Sequence, residues 1–146
     1  MLDNVLINGD YAIFDPVITG GIITGPIMPG KIKGTGKATV KKKKICVKGD
    51  EKSIVVGNCP YIAGSYVIPG MGTFTIKKLS PNQVSKKTRL AKKGILLKGI
   101  RFQAEFTVNT PAQQPNPPAP NLLDQAGKKY KGSGKFQSFN TSYKTK

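Results

Sequence analysis

Apolar and polar residues alternate without a break from Ile100 to Val108. The apolar positions of this segment are Ile100, Phe102, Ala104, Phe106 and Val108. Because successive side chains of a β-strand point to opposite faces of a sheet, the pattern predicts a strand with one buried and one wetter face. It is the clearest strand signal in the chain.

Short β-branched or aromatic runs, bounded by glycine, proline or asparagine, fill most of residues 31 to 110. They include KICVK, SIVVG, SYVIPG and GTFTIKKL. Such runs predict brief strands joined by tight turns. One stretch, LSPNQVSKKTRLAKK, predicts either a short helix or a structured loop, because Ser80 suits an N-cap and Pro81 a first helical position. We therefore expect an almost entirely β core with at most one short helix.

Two of these strands repeat one another at a constant offset. Ile45–Gly49 (ICVKG) matches Ile95–Gly99 (ILLKG), and lysines precede both copies. A basic run in the same place relative to two strands indicates a repeated architecture rather than a single binding patch. The repeat predicts a compact, glycine-rich, pseudo-repetitive β fold whose hairpins converge around an axis, with lysines on their solvated outside.

The two ends of the chain differ in composition from the middle. Residues 1–30 contain VITGGIITGPIMPG and no basic residue, which predicts short extended pieces or a close-packed loop. At Pro111 the segment PAQQPNPPAPN predicts a semi-rigid linker that buries little. The predicted organisation is a β domain over residues 1–110, a proline-rich linker over 111–121 and an irregular basic tail over 122–146 that lies outside the core.

Charge raises the question of a polyanionic partner. The chain has 24 basic and 7 acidic residues and a formal net charge of +17, a balance that suits nucleic acid or an anionic surface. Only Arg89 and Arg101 are arginines, however, and arginine supplies the planar fork that reads guanine and phosphate. Sequence-specific nucleic-acid recognition is therefore not expected.

Aromatic residues interleaved with lysines mark the basic tail. They are Tyr130, Phe136, Phe139 and Tyr143. Stacking combined with charge can bind single-stranded nucleic acid. The alternatives are that the tail docks on a protein partner or is simply solvated.

Little in the sequence suggests catalysis or a metal. Histidine is absent, which removes the commonest general base, and the seven acids are scattered apart from Asp50 and Glu51. Adjacent strand residues point to opposite faces, so this pair is better explained as a solvated turn. Cys46 and Cys59 cannot complete a tetrahedral zinc site alone and are expected to be buried free thiols. We expect no enzyme activity, no catalytic residue and no cofactor.

The sequence also bears on where the protein is made. MLDNVLING lacks the positive start and apolar core of a signal peptide, and no apolar run approaches the roughly 18–20 residues that span a bilayer. We expect synthesis in the cytoplasm and delivery outside it by other means.

Three stretches, GTGKATVKKKKICVKGDEKS, GNCPYIAGSYVIPGMGTFTI and KKGILLKG, resemble the PAAR-like spike-tip proteins of contractile injection systems, such as type VI secretion and antifeeding-prophage-like particles. The resemblance covers about residues 5 to 110. It implies a small β cone that sits on a trimeric spike and forms its piercing point. Many members bind an apical metal through histidines and cysteines. Because this chain has no histidine, no metal site is carried over except as a remote option at Cys46 and Cys59.

The resemblance implies one protein partner, the trimeric spike of the same particle, and contact with the target membrane on injection. The tail could tether an effector cargo. Candidates for the spike interface lie in two apolar regions and are Ile18, Ile22, Ile23, Ile27, Met28, Tyr61, Tyr66, Ile68, Met71 and Phe74. The alternative for these residues is that they fill the core. The alternative function is that of a basic, nucleic-acid-binding β domain.

Overall fold

The computed structural model describes residues 3–40, 42–90, 93–138, 140 and 144–145, and the fold is mainly β. Its strands are β1 (Asp3–Asn4), β2 (Tyr11–Phe14), β3 (Val17–Ile18), β4 (Gly21–Ile23), β5 (Gly30–Lys31), β6 (Thr39–Val40), β7 (Lys43–Lys44), β8 (Val55–Ala63), β9 (Tyr66–Lys78), β10 (Val84–Leu90), β11 (Lys93–Leu96), β12 (Phe102–Thr110), β13 (Gln113–Gln114), β14 (Leu122–Leu123), β15 (Lys129–Gln137) and β16 (Lys144–Thr145). Two 3-10 turns, Asp50–Ser53 and Pro81–Gln83, are the helical elements of the described residues. No described helix is long and apolar enough to cross a membrane.

One antiparallel sheet forms the body of the molecule. Its strands follow the order β3-β4-β8-β9-β12-β15-β2-β5; in addition, β13 pairs with β9, and β14 pairs with β13. The sheet curls strongly into a half-barrel and encloses a core of aromatic rings. Phe74 lies 4.8 Å from Phe14 and 4.9 Å from Phe106 between ring centroids. The predicted fold class is confirmed as mainly β, and the curled sheet is consistent with a small β cone.

The predicted strand at residues 100–108 is confirmed with one correction. Four of its five predicted inward residues, Phe102, Ala104, Phe106 and Val108, are buried in β12. Ile100 is instead 73% exposed, because the strand begins at Phe102 after a left-handed Gly99 (φ +58°) that redirects the chain. Alternation in the sequence located the strand but extended it too far towards the N-terminus.

The segment that could have been a helix forms only one 3-10 turn. The Ser80 N–H donates to Gln83 Oε1 (2.9 Å), and the Gln83 N–H donates to the Ser80 carbonyl (2.9 Å). Beyond Gln83 the chain is the strand β10. The second 3-10 element, Asp50–Ser53, lies where the sequence predicts a turn at Asp50 and Glu51. The described core therefore contains two short 3-10 turns and no α-helix.

The expectation that the tail lies outside the core is wrong for residues 129–137. Strand β15 pairs with β12 on one side and β2 on the other, and Tyr130 and Phe136 are buried. Gly134 permits this close packing, because a Cβ there would lie 2.6 Å from the Phe102 ring. Phe139 and Tyr143 lie outside the described residues. The alternating pattern of YKGSGKF is thus that of a central strand.

The proline-rich stretch is likewise not an extended linker. Gln113 and Gln114 of β13 pair with Leu123 and Leu122 of β14, and Gln113 also pairs with Ile68 of β9. Four of the five prolines, Pro115, Pro117, Pro118 and Pro120, lie in the loop of this hairpin. The chain therefore remains in the same sheet from β12 through the β13–β14 hairpin to β15.

Candidate functional surfaces

Three short segments, not two, meet at one end of the molecule. Residues 5–7 join the two predicted copies, 45–47 and 95–97, and we call these nine residues the ring. The first residue of each segment forms a β-bridge with the third residue of another: Val5 with Leu97, Ile45 with Ile7, and Ile95 with Val47. The missed copy, VLING, has the same apolar triplet and glycine exit as ICVKG and ILLKG.

Backbone hydrogen bonds close the ring. The N–H of Leu6 donates to the carbonyl of Leu96 (3.0 Å), that of Leu96 to Cys46 (3.0 Å) and that of Cys46 to Leu6 (2.9 Å). In a second cycle, the N–H of Asn8 donates to the carbonyl of Lys44 (2.8 Å), that of Lys48 to Gly94 (2.8 Å) and that of Lys98 to Asn4 (2.9 Å), so each segment again donates to the next. Two closed three-step cycles give the ring a pseudo-threefold axis within one chain.

After each ring segment the chain turns at a glycine with a positive φ angle, a left-handed backbone conformation in which residues with a Cβ are strained. The φ angles are +91° at Gly9, +106° at Gly49 and +58° at Gly99. In the first two turns an aspartate caps the segment: Asp10 Oδ2 accepts from the Ile7 N–H and Asp50 Oδ2 from the Val47 N–H, each at 2.8 Å.

The third turn and the Asp50–Glu51 pair differ in detail. Asp3 Oδ2 accepts from the Gly99 N–H (2.6 Å), and Ile100 stands where the other turns have aspartate. Glu51 Oε2 accepts from the Gly49 N–H (2.7 Å). Both Asp50 and Glu51 are thus bound to backbone amides of a turn, which supports the turn interpretation over an acid–base pair.

Three two-stranded arms lead into the ring: β1–β16, β6–β7 and β10–β11. The residues that precede the ring segments occupy matching positions in the arms: Asn4 pairs with Lys144, Lys44 with Thr39, and Gly94 with Arg89. In two arms the partner strand precedes the ring segment in the chain. In the first arm it comes from residues 144–145, so the C-terminal strand completes the threefold pattern.

The opposite end of the molecule exposes apolar side chains. Strands β8 and β12 run away from the ring, and the β8–β9 turn (residues 64–65) and the β13–β14 hairpin lie at their far ends. The exposed apolar residues of this region, which we call the apolar end, are Val17, Ile22, Val67, Ile68, Met71, Leu122 and Leu123. Val17 pairs with Ile22 across β3 and β4, so the patch continues over neighbouring strands.

The predicted interface residues divide into three groups by burial. Ile18, Ile23, Tyr61 and Phe74 are buried in the core, so their side chains cannot contact a partner in this structure. Ile27 and Tyr66 are half-buried against that core. The exposed candidates are Ile22, Met28, Ile68 and Met71, three of which belong to the apolar end. The alternative that these segments fill the core therefore holds for the first group.

Both cysteines are free and buried, as predicted. Burial, followed by the charges of Asp50 and Asp10, raises the pKa of the Cys46 thiol far above its ordinary value. Leu6 and Leu96 occupy the ring positions equivalent to Cys46, so the other two ring segments provide no soft metal ligand at this level. Within the described part of the chain, no three metal-ligating side chains come together. The absence of a cofactor remains a prediction.

A buried polar network holds the β13–β14 hairpin against the core. Asp124 Oδ2 accepts from the hydroxyls of Tyr61 (2.8 Å) and Tyr130 (2.6 Å), and the Tyr61 oxygen accepts from the Ala112 N–H (3.0 Å). Burial raises the pKa of Asp124, but the hydrogen bonds from Tyr130, Tyr61 and the Gln125 amide outweigh it, so the net pKa is lowered. No local sequence signal connects Tyr61 with a carboxylate 63 residues away.

Comparison with known proteins identifies the family of this chain. No curated protein matches the chain. The family described as contractile injection system spike tip protein matches it over residues 1–146. Members of that family have a structural role and associate with the spike protein of the injection particle. The chain therefore belongs to the contractile injection system spike tip family.

Proposed function

We propose that one copy of this chain caps the trimeric spike of its particle through the apolar end, so that the ring leads as the narrow piercing point. The observation that carries this proposal is the concentration of exposed apolar side chains at the end opposite the ring. Contiguous exposed apolar surface on a soluble protein marks an interaction site, and permanent interfaces are the more apolar ones.

The shape and rigidity of the two ends support this orientation. The apolar end lies on the broad half-barrel, where Val17, Ile22 and Leu123 project from paired strands rather than from free loops. The ring end narrows to three short segments that close on one axis. Because that axis lies within a single chain, one copy is enough to close the point.

The structure also weakens the nucleic-acid alternative. Two of the four aromatic residues that suggested base stacking, Tyr130 and Phe136, are buried in the core. Stacking on bases requires an exposed ring. A cargo joined to the C-terminal residues would be held at the ring end, since β16 pairs with β1.

Co-purification with the spike protein of the same particle tests the proposed seat. Ile22→Asp and Leu123→Asp place a charge on the apolar end, and each should abolish capture by the spike at both low and high salt. Ile100→Asp and Val55→Asp are matched controls, because both side chains are exposed but lie near the ring end. They should bind normally.

Thermal unfolding of all four variants shows whether the fold is intact. Normal spike capture by the apolar-end variants, with loss in the ring-end controls, would mean that the protein is mounted the other way round. Capture that disappears in high salt for the unmodified protein would also contradict an apolar seat.

A further inference from the structure

A pocket of about 510 Å³ opens at the apolar end. Its walls are the β3–β4 turn (residues 19–20), the β8–β9 turn with its flanks (63–66) and residues 128–131, which lead into β15. Ligand pockets span roughly 300–1,000 Å³, so this one is large enough to receive a side chain or a chain end of another molecule. We call it the lysine pocket, because three exposed lysines line it: Lys128, Lys129 and Lys131.

Neighbouring side chains hold two of these lysines. The Lys128 Nζ lies 4.9 Å from the centre of the Tyr130 ring, at cation–π distance. The Lys129 Nζ forms an ion pair of 3.4 Å with Glu105. Lys131 lies on the same face of β15 as Lys129, because side chains two positions apart in a strand share a face. Among the described residues, its ammonium group forms neither an ion pair nor a ring contact.

Carboxylates near the pocket do not neutralise it. Glu105 is paired with Lys129, and the buried Asp124 accepts hydrogen bonds from two tyrosine hydroxyls. The three ammonium groups outnumber these two carboxylates, so the pocket keeps a net positive charge. The neighbouring strands β3, β4, β13 and β14 contain only apolar residues, glycine and glutamine, and residues 66–76 of β9 carry no charge. The positive charge of the apolar end therefore lies on its β15 side.

The lysine pocket adjoins the exposed apolar side chains of this end. Val17 and Ile22 lie on the two strands that flank the β3–β4 turn, and Val67 lies just after the β8–β9 turn. A partner that covers these side chains therefore also covers the pocket. An ammonium group that is removed from water costs free energy unless it gains an opposite charge, so the covering partner has to supply an anionic group at this place.

We propose that the lysine pocket receives a carboxylate of the spike protein when the apolar end is seated, an inference that rests on the proposed function. A carboxylate is the anionic group that an unmodified protein offers, and its two oxygens can accept hydrogen bonds from more than one ammonium group. Because the lysines lie on one side of the apolar end, the pairing also fixes the rotation of the single chain on the spike. A trimeric spike offers three equivalent carboxylates, of which one is used.

The affinity of the full-length chain for the spike protein of the same particle, measured by biolayer interferometry, tests this pairing. Lys128→Gln/Lys131→Gln should weaken the affinity at least about tenfold at low salt, because the spike carboxylate is then desolvated without its opposite charges. The affinity of this variant should also depend less on salt than that of the unmodified protein. The control Lys77→Gln/Lys135→Gln removes two exposed lysines nearer the ring and should leave the affinity unchanged. Thermal unfolding of both variants verifies the fold.

Variants of the spike distinguish the two sources of a carboxylate, an acidic side chain and the chain terminus. Exchange of the apical aspartates and glutamates of the spike for their amides removes the side-chain source, whereas a glycine appended to the spike displaces its terminal carboxylate. The change that weakens binding should have little further effect on Lys131→Gln, since the paired charge is already lost. Fully additive losses would mean that the two groups do not interact and would overturn the inference.

The outcomes separate this inference from the proposed seat. Unchanged affinity of Lys128→Gln/Lys131→Gln, together with lost capture of Ile22→Asp, would overturn the carboxylate pairing and leave the apolar seat standing. Weakened binding of the lysine variant, together with normal capture of Ile22→Asp and Leu123→Asp, would overturn the apolar seat and keep the pairing. Equal losses in the lysine variant and its control would indicate a general effect of charge and contradict a specific pocket.

Discussion

Tyr61→Phe should destabilise the protein more than its small chemical change suggests. The substitution keeps the ring of a fully buried side chain and removes only its hydroxyl. That hydroxyl donates to Asp124 Oδ2 and accepts from the Ala112 N–H, which is itself buried. The variant therefore deprives a carboxylate of one donor and leaves a buried amide without its partner.

The magnitude follows from these two losses. A hydrogen bond to a charged group contributes about 1.5–3 kcal/mol, and an unpaired buried amide costs about 1–3 kcal/mol. Because neighbouring effects are not additive, we expect a total of about 3 kcal/mol. Tyr130→Phe removes only the 2.6 Å bond to Asp124 and should cost about 2 kcal/mol.

Urea unfolding followed by far-ultraviolet circular dichroism measures both free energies. Hydrogen exchange at the Ala112 amide gives a local readout, which should accelerate in Tyr61→Phe and stay nearly unchanged in Tyr130→Phe. Equal destabilisation by the two variants, or an Ala112 amide that stays protected in Tyr61→Phe, would refute the idea that this hydroxyl fastens the hairpin to the core.

Three further predictions follow from the core and the ring. Leu96→Ala should lower the free energy of unfolding by about 2–5 kcal/mol, whereas the exposed Leu123→Ala should change it by less than about 0.5 kcal/mol; chemical denaturation compares the two. The Cys46 thiol, buried and with a raised pKa, should react with a thiol reagent only on unfolding, so fast labelling of the native protein would contradict the ring geometry. Burial and then the bond to Asp124, partly offset by the Ala112 amide, raise the pKa of Tyr61 to about 12. Its contribution to stability is thus complete below the ordinary tyrosine pKa and is lost as pH rises through about 12. Alkaline denaturation should be less steep in Tyr61→Phe.

What the sequence determined by itself is local. Alternation between residues 102 and 108 identified the central strand, because side-chain direction along a strand depends only on position in that strand. The glycine exits after Val47 and Leu97 also appear as such in the structure, since a left-handed turn requires a residue without Cβ. The two-copy repeat correctly indicated segments that converge on an axis.

Only the tertiary structure decided which neighbours complete these local elements. The third ring segment was missed because no lysines precede VLING, although it has the same apolar triplet and glycine exit as the other copies. The cyclic hydrogen bonds establish that the three segments are equivalent. Strand β15 looked like a solvated tail, since its lysines dominate its composition, yet it packs between β12 and β2. Burial also separates adjacent residues of one apolar run: Ile23 faces the core and Ile22 faces outward. Which of the two side chains faces the core depends on the register of β4 against β8. This pairing joins residues some 40 positions apart, so the sequence around either strand alone does not determine it.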